Sequence, residues 1–194
     1  MKQYILFFIF TICSCCTIKT LGQSKAPNVL FIAVDDLKPY LEPYGDKIVK
    51  SPAIASIASK GIVFEKNYCQ QAVCAPTRAS LMTGLRPDRT GVWDLKTNFR
   101  LVDPSIVTMP EYLITQGYET AALGKIYHPE LVTTFEGHDP KSWSIPYQEI
   151  KARAYVTTEK RISLENMDVP DTTYYDGKLA VAGSEDIRAI SQRC

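Results

Sequence analysis

A dominant charge is missing from this sequence: 22 basic and 21 acidic residues leave a net +1. A nucleic-acid binder normally carries a basic footprint, so this balance argues against that class and leaves partners to be sought in local clusters. Long apolar runs are missing too. The longest run, Tyr4–Ile12, falls short of the roughly 20 apolar residues a bilayer-crossing helix needs, so no transmembrane span is expected. Beyond residue 22, no Cys-x-x-Cys or Cys/His spacing suggests zinc. Internal repeats and low-complexity tracts are absent, and a hydrophobic content of 45% points to a folded domain rather than a disordered chain.

Residues 1–22 read as a signal peptide. Lys2 supplies the positive end, Tyr4–Ile12 the apolar stretch, and Thr20-Leu21-Gly22 the small residues a signal peptidase reads. A buried N-terminal strand is the bland alternative. The reading predicts a secreted or periplasmic chain beginning near Gln23. A second processing route is present, because Ile12-Cys13-Ser14-Cys15 resembles a bacterial lipobox that would anchor Cys15 to lipid. Removing the leader reduces six cysteines to three, Cys69, Cys74 and Cys194, an odd number that excludes a full disulfide framework.

The remainder, 23–194, alternates strand-like and helix-like segments with no linker between domains, so an α/β fold with a mostly parallel sheet and flanking helices is expected. Asn28–Val34 is a near-continuous apolar run of the kind that forms a buried parallel strand. Ile62–Phe64 and Tyr118–Leu123 read as further strands. Ser51-Pro52 opens one helix that stops at Gly61, Pro76–Thr83 forms another that closes at Gly84, and Thr108-Met109-Pro110-Glu111 is a capping box for a third that stops at Gly117. From about Glu136 the pattern weakens into loop or surface hairpin. Asp176–Cys194 is helical in part, with Gly183-Ser184 expected to interrupt it.

Three places carry candidate chemistry. Asp35-Asp36 follows the first apolar run, and two adjacent carboxylates repel unless they share a cation; hard oxygen ligands suit calcium or magnesium. A solvated loop with a helix cap would look the same. Cys74-Ala75-Pro76-Thr77-Arg78 puts a cysteine at the mouth of a helix, where unpaired N–H groups attract anions. Arg78 lies four residues on, one turn away on the same face. A structural cysteine at an ordinary helix start is the competing reading. Lys125 and His128 offer a cation and a titratable imidazole after the Tyr118–Leu123 segment, although a lone Lys or His is more often surface or core. Together the three clusters describe a pocket for a dianion or an ester monoanion.

Cys74-Ala75-Pro76-Thr77-Arg78 followed by Leu81-Met82-Thr83-Gly84 resembles the type I sulfatase signature, Cys-x-Pro-Ser/x-Arg then Leu-Thr-Gly. The segments VLFIAVDDLKP, YGDKIVKSPAI, QQAVCAPTR, TGLRPDRTGVWD and LGKIYHP resemble the iduronate-2-sulfatase branch, and the resemblance runs from about Asn28 to Gly177. It implies an alkaline-phosphatase-like α/β fold. It also implies that a formylglycine-generating enzyme oxidises Cys74 to formylglycine, whose hydrate attacks the sulfur of a sulfate ester on a sulfated sugar or polysaccharide. By the same resemblance Asp35, Asp36 and the modified Cys74 would ligate Ca2+. Arg78 would hold the hydrate, and Lys125 and His128 would contact it or the sulfate. Thr77 departs from the usual Ser but keeps a hydroxyl, and Met82 replaces Leu at similar volume.

The resemblance also shows what is missing. Family members carry a second calcium-ligating pair, Asp with His or Asn, and a later Lys and His. Here the only histidine after His128 is His138, in a Gly-His-Asp-Pro loop, and no partner set accompanies it. The pattern breaks at Val181-Ala182-Gly183-Ser184, so a truncated or frameshifted reading frame, inactive by itself, is expected. Two other functions remain open on the residues alone: a phosphonate or phosphate ester hydrolase of the same superfamily, and a secreted fragment that binds sulfated glycans without cleaving them.

Overall fold

The computed structural model describes residues 26–128, 139–152, 155–157 and 165–193. The expected signal peptide, the lipobox, His138 and Cys194 lie outside the described residues. The chain divides into two compact units, Met1–Val34 and Asp35–Cys194. In the first unit, the described residues 26–34 form no regular element and are exposed, Ile32 by 69% and Leu30 by 64%.

The second unit is helical. Helices α1 (Pro52–Ala58), α2 (Cys74–Thr83), α3 (Pro87–Thr90), α4 (Phe99–Val102), α5 (Met109–Thr115) and α6 (Tyr175–Arg193) follow in order. Short 3-10 turns occupy Glu42–Tyr44, Pro140–Ser142 and Asp171–Thr173. Local chemistry explains most boundaries. Pro52 supplies a preset φ at the start of α1. Thr108 and Glu111 form both arms of the expected capping box on α5. Gly84, at φ 69°, ends α2 in the left-handed conformation, and its N–H donates to the Ser80 carbonyl.

One expectation is not confirmed and another fails. No strand ladder forms among the described residues, so the parallel sheet is not seen there. Asn28–Val34 and Ile62–Phe64 stay exposed, and Tyr118–Leu123 pairs only locally, where Thr120 exchanges hydrogen bonds with Ser144 and Ile145. A parallel strand needs neighbours on both edges and cover on both faces, and no described segment supplies them. Gly183-Ser184 does not interrupt α6, which runs unbroken from Tyr175 to Arg193. A glycine inside a helix costs only about 1 kcal/mol, which a 19-residue helix absorbs. The Ser184 hydroxyl turns back onto the Ala180 carbonyl at 2.8 Å.

The core gathers around one face of α2. Ala75, Ala79 and Met82, spaced by four and three residues, pack with Val92, Phe99, Ile106 and Tyr127. Phe99 and Tyr127 stack with ring centroids 5.9 Å apart. Burying this face orients the adjacent one, which carries Cys74 and Arg78 one turn apart.

Candidate active site

Cys74 is the first residue of α2, half-buried, with Val73 as a cap that contributes no side-chain bond. The Thr77 hydroxyl donates to the Gln71 carbonyl and so ties the entering loop to the first turn. Arg78 is buried, 6% exposed, and its guanidinium faces three groups at once. Nη1 donates to the carbonyls of Lys125 and Ile126, the latter at 2.9 Å, and Nη2 to Asp35 Oδ1 at 2.7 Å. Lys125 Nζ binds the other oxygen of that carboxylate, Oδ2, and stands 3.9 Å from Cys74 Sγ. One carboxylate thus bridges two cations. The hydrogen bond from Lys125, followed by that from Arg78, holds the Asp35 carboxyl below the usual carboxylate range despite the opposing effect of burial.

Consecutive side chains on an extended chain point to opposite faces. Asp36 breaks that alternation: its φ of 52° lies in the left-handed region, which Asp tolerates better than most residues. The turn brings Asp35, Asp36 and Cys74 together, with one ligand atom from each lying within 4.8 Å of the others. His128 shares the Lys125 segment and is half-buried. Five of the six predicted residues, Asp35, Asp36, Cys74, Arg78 and Lys125, therefore meet in one centre. They do so through a loop, a helix N-terminus and an extended segment rather than along the edge of a sheet.

Gly124 sets the path into that segment. Its φ is 68°, a left-handed conformation that strains any side chain, and a Cβ there would lie 2.8 Å from the Leu179 side-chain tip on α6, which would have to shift. Tyr147 donates to the Gly124 carbonyl at 3.0 Å.

The sequence matches the sulfatase family model over residues 27–177, a stretch that contains every residue of this centre. The chain belongs to the sulfatase family. The family implies an alkaline-phosphatase-like α/β fold. Human iduronate 2-sulfatase is 42% identical over 138 residues, 71% of this chain and 25% of the human protein. The choline-sulfatase of Rhizobium meliloti is 36% identical over 113 residues, 57% of this chain and 22% of its own. The N-acetylgalactosamine-6-O-sulfatase of Bacteroides thetaiotaomicron is 32% identical over 176 residues, 81% of this chain and 34% of its own. This sulfatase-family chain thus spans about a quarter to a third of the length of these curated relatives. No helix among its described residues is long and apolar enough to cross a membrane.

A polar cluster that sequence reasoning missed lies behind the centre. Arg100, 5% exposed, binds Asp139 through Nε at 3.0 Å and Nη2 at 2.6 Å, and the same Nη2 binds Glu111 at 2.7 Å. Its Nη1 donates to the Ile106 carbonyl, and its guanidinium lies 5.1 Å from the Phe99 ring centroid. Burial opposes the charge on Arg100, but the bonds to Asp139 and Glu111 outweigh it and raise its pKa. The Asp-Pro of residues 139–140 and the capping-box Glu111 were visible in the sequence. Nothing there connected either of them to Arg100.

Proposed function

We propose that this chain forms the nucleophile-bearing part of a calcium-dependent sulfatase acting on sulfated sugars. The observation that carries the reading is the Lys125 ammonium held 3.9 Å from Cys74 Sγ, at the N-terminus of a helix whose buried Arg78 anchors the same site. Positive charge and the N-terminal end of the helix dipole lie where an anionic ester would place its sulfuryl oxygens.

The donor set fits calcium in part. Asp35 and Asp36 are hard oxygen ligands, whereas a thiol is soft; an oxygen in place of Cys74 Sγ would complete a hard trio. Converted to formylglycine, Cys74 would supply that oxygen and, as the hydrate, would be the nucleophile that displaces an alcohol from sulfur. Arg78 fixes the Lys125–Ile126 backbone and the Asp35 carboxylate, so neither cation nor metal ligand has to reorganise as charge develops. Lys125 offers its ammonium to the sulfuryl oxygens, and His128, on the same segment, would contact the hydrate or the sulfate.

Calcium takes about 6–8 oxygens. The rest of the coordination shell and the proton donor for the leaving alcohol belong to the part of the relatives beyond the matched stretch. Residues Asn28–Val34 and Tyr118–Leu123 take up their sheet positions with that part present. Identity to human iduronate 2-sulfatase supports a sulfated uronate as the substrate class. The leader directs the chain to an oxidising, extracytoplasmic compartment.

Co-expression with a formylglycine-generating enzyme, followed by peptide mass spectrometry, tests the nucleophile. Aldehyde is expected on Cys74 and not on Cys69, because only Cys74 has Pro and Arg two and four residues on. A Cys74 left as thiol while a control sulfatase is converted overturns the assignment.

A further inference from the structure

We propose that Tyr127 and Ser142 are positioning residues that hold the Lys125 ammonium over residue 74, acting through the backbone of residues 124–128. The inference rests on the reading of Lys125 as the anion-facing cation.

Tyr127 lies between Lys125 and His128, and its side chain points away from them into the core, where it is 1% exposed. The phenol oxygen is 3.1 Å from Ser142 Oγ. Ser142 Oγ is also 2.7 Å from Thr108 Oγ1 and donates to Asp139 Oδ2 at 2.6 Å. A hydroxyl has one hydrogen and two lone pairs. Because Ser142 gives its hydrogen to Asp139, it accepts from both Tyr127 and Thr108. Every hydroxyl in the relay then has one direction: Tyr127 and Thr108 donate to Ser142, Ser142 donates to Asp139, and Asp139 is clamped by two nitrogens of Arg100.

The segment is therefore held from two sides. Arg78 grips the carbonyls of Lys125 and Ile126 on the site face, and the phenol of Tyr127 grips Ser142 on the core face. The Arg78 bonds act on carbonyl oxygens of the site face, and ring packing on Phe99 holds Tyr127 without fixing its hydroxyl end. The bond to Ser142 fixes that end and with it the direction in which Lys125 leaves the backbone. Tyr127→Phe keeps the stack on Phe99 and deletes only the donor, leaving Ser142 one partner short.

The test uses the unconverted thiol chain and needs no turnover. Alkylation of Cys74 by anionic iodoacetate and by neutral iodoacetamide is followed on its tryptic peptide, with the exposed Cys69 as internal reference. The ratio of the two rates reports positive charge beside Sγ. It is expected to fall about two- to five-fold at Cys74 in Lys125→Met, the scale of a partly exposed charge pair, and to stay constant at Cys69. Tyr127→Phe and Ser142→Ala are each expected to lose most of the same factor. Val92→Ala, which loosens the same core without touching a hydroxyl, is expected to leave the ratio unchanged. An unchanged ratio in Lys125→Met overturns the reading of Lys125 and the inference with it. A fall in Lys125→Met with no fall in Tyr127→Phe or Ser142→Ala overturns the inference alone. An equal fall in Val92→Ala shows general loosening and overturns it as well.

Discussion

Lys125 Nζ stands 3.9 Å from Cys74 Sγ while binding Asp35, a residue 90 positions earlier in the chain. That contact joins the three clusters of the sequence, the carboxylate pair, the helix-mouth cysteine and the Lys/His segment, into one centre. It also makes Asp35 a shared group: the carboxylate that faces a prospective cation already neutralises Arg78 and Lys125. Four measurable consequences follow from this arrangement and from the buried cluster behind it.

Calcium is expected to bind the isolated chain weakly. Asp35 and Asp36 supply two ligand residues where about 6–8 oxygens are wanted, and Asp35 is held by two cations. Calorimetric titration is expected to give at most millimolar affinity. Tight binding that disappears in Asp36→Ala would show that the centre completes its own coordination shell.

Arg100→Met is expected to destabilise the fold by about 3–5 kcal/mol, since it strands the buried Asp139 carboxylate without a counter-charge. Chemical denaturation monitored by circular dichroism measures the loss. A change below about 1 kcal/mol would mean that water replaces the guanidinium at Asp139 and that the cluster is less enclosed than its 1% exposure implies.

Tyr127 ties stability to alkaline pH. Burial raises its pKa above the ordinary 10.0, so the fold favours the neutral phenol. The contribution is fully present below about pH 10 and is lost as pH climbs toward the folded-state pKa. Absorbance titration of phenolate formation is expected to show a late step, coincident with unfolding, that Tyr127→Phe lacks. If both proteins titrate alike, Tyr127 is reached by solvent in the native state.

The isolated chain, converted at Cys74, is expected to show no turnover of an aryl sulfate or a sulfated uronate disaccharide. Residues that act as a unit lose most of their rate enhancement when members are absent. Supplying the downstream two-thirds of a full-length relative is expected to restore activity. Clear turnover by the 194 residues alone, abolished by Cys74→Ala, would place a complete reaction centre within them. An aryl phosphate in the same assay separates sulfatase from phosphatase chemistry.

What was legible in the sequence was local. Pro52, the Thr108–Glu111 box and Gly84 mark helix ends through bonds that span a few residues. Cys74 and Arg78 share a face because four residues make about one helical turn. Such interactions are determined by neighbours along the chain, so spacing alone reveals them. The sheet is not confirmed for the complementary reason. Asn28–Val34 has the apolar pattern of a buried strand, but pattern does not supply the neighbouring strand to which its N–H and C=O groups must bond.

Only the tertiary structure decided which groups meet. Nothing in the text of the sequence pairs Arg100 with Asp139, 39 residues on, or gives Ser142 three oxygen partners. Likewise the motif names Arg78, while the fold decides that it spends its donors on Asp35 and on the Lys125 and Ile126 carbonyls. A bond between distant residues depends on the path by which the chain returns. That path is set by how α2 buries Ala75, Ala79 and Met82 against Phe99 and Tyr127, a packing choice made by the whole unit at once.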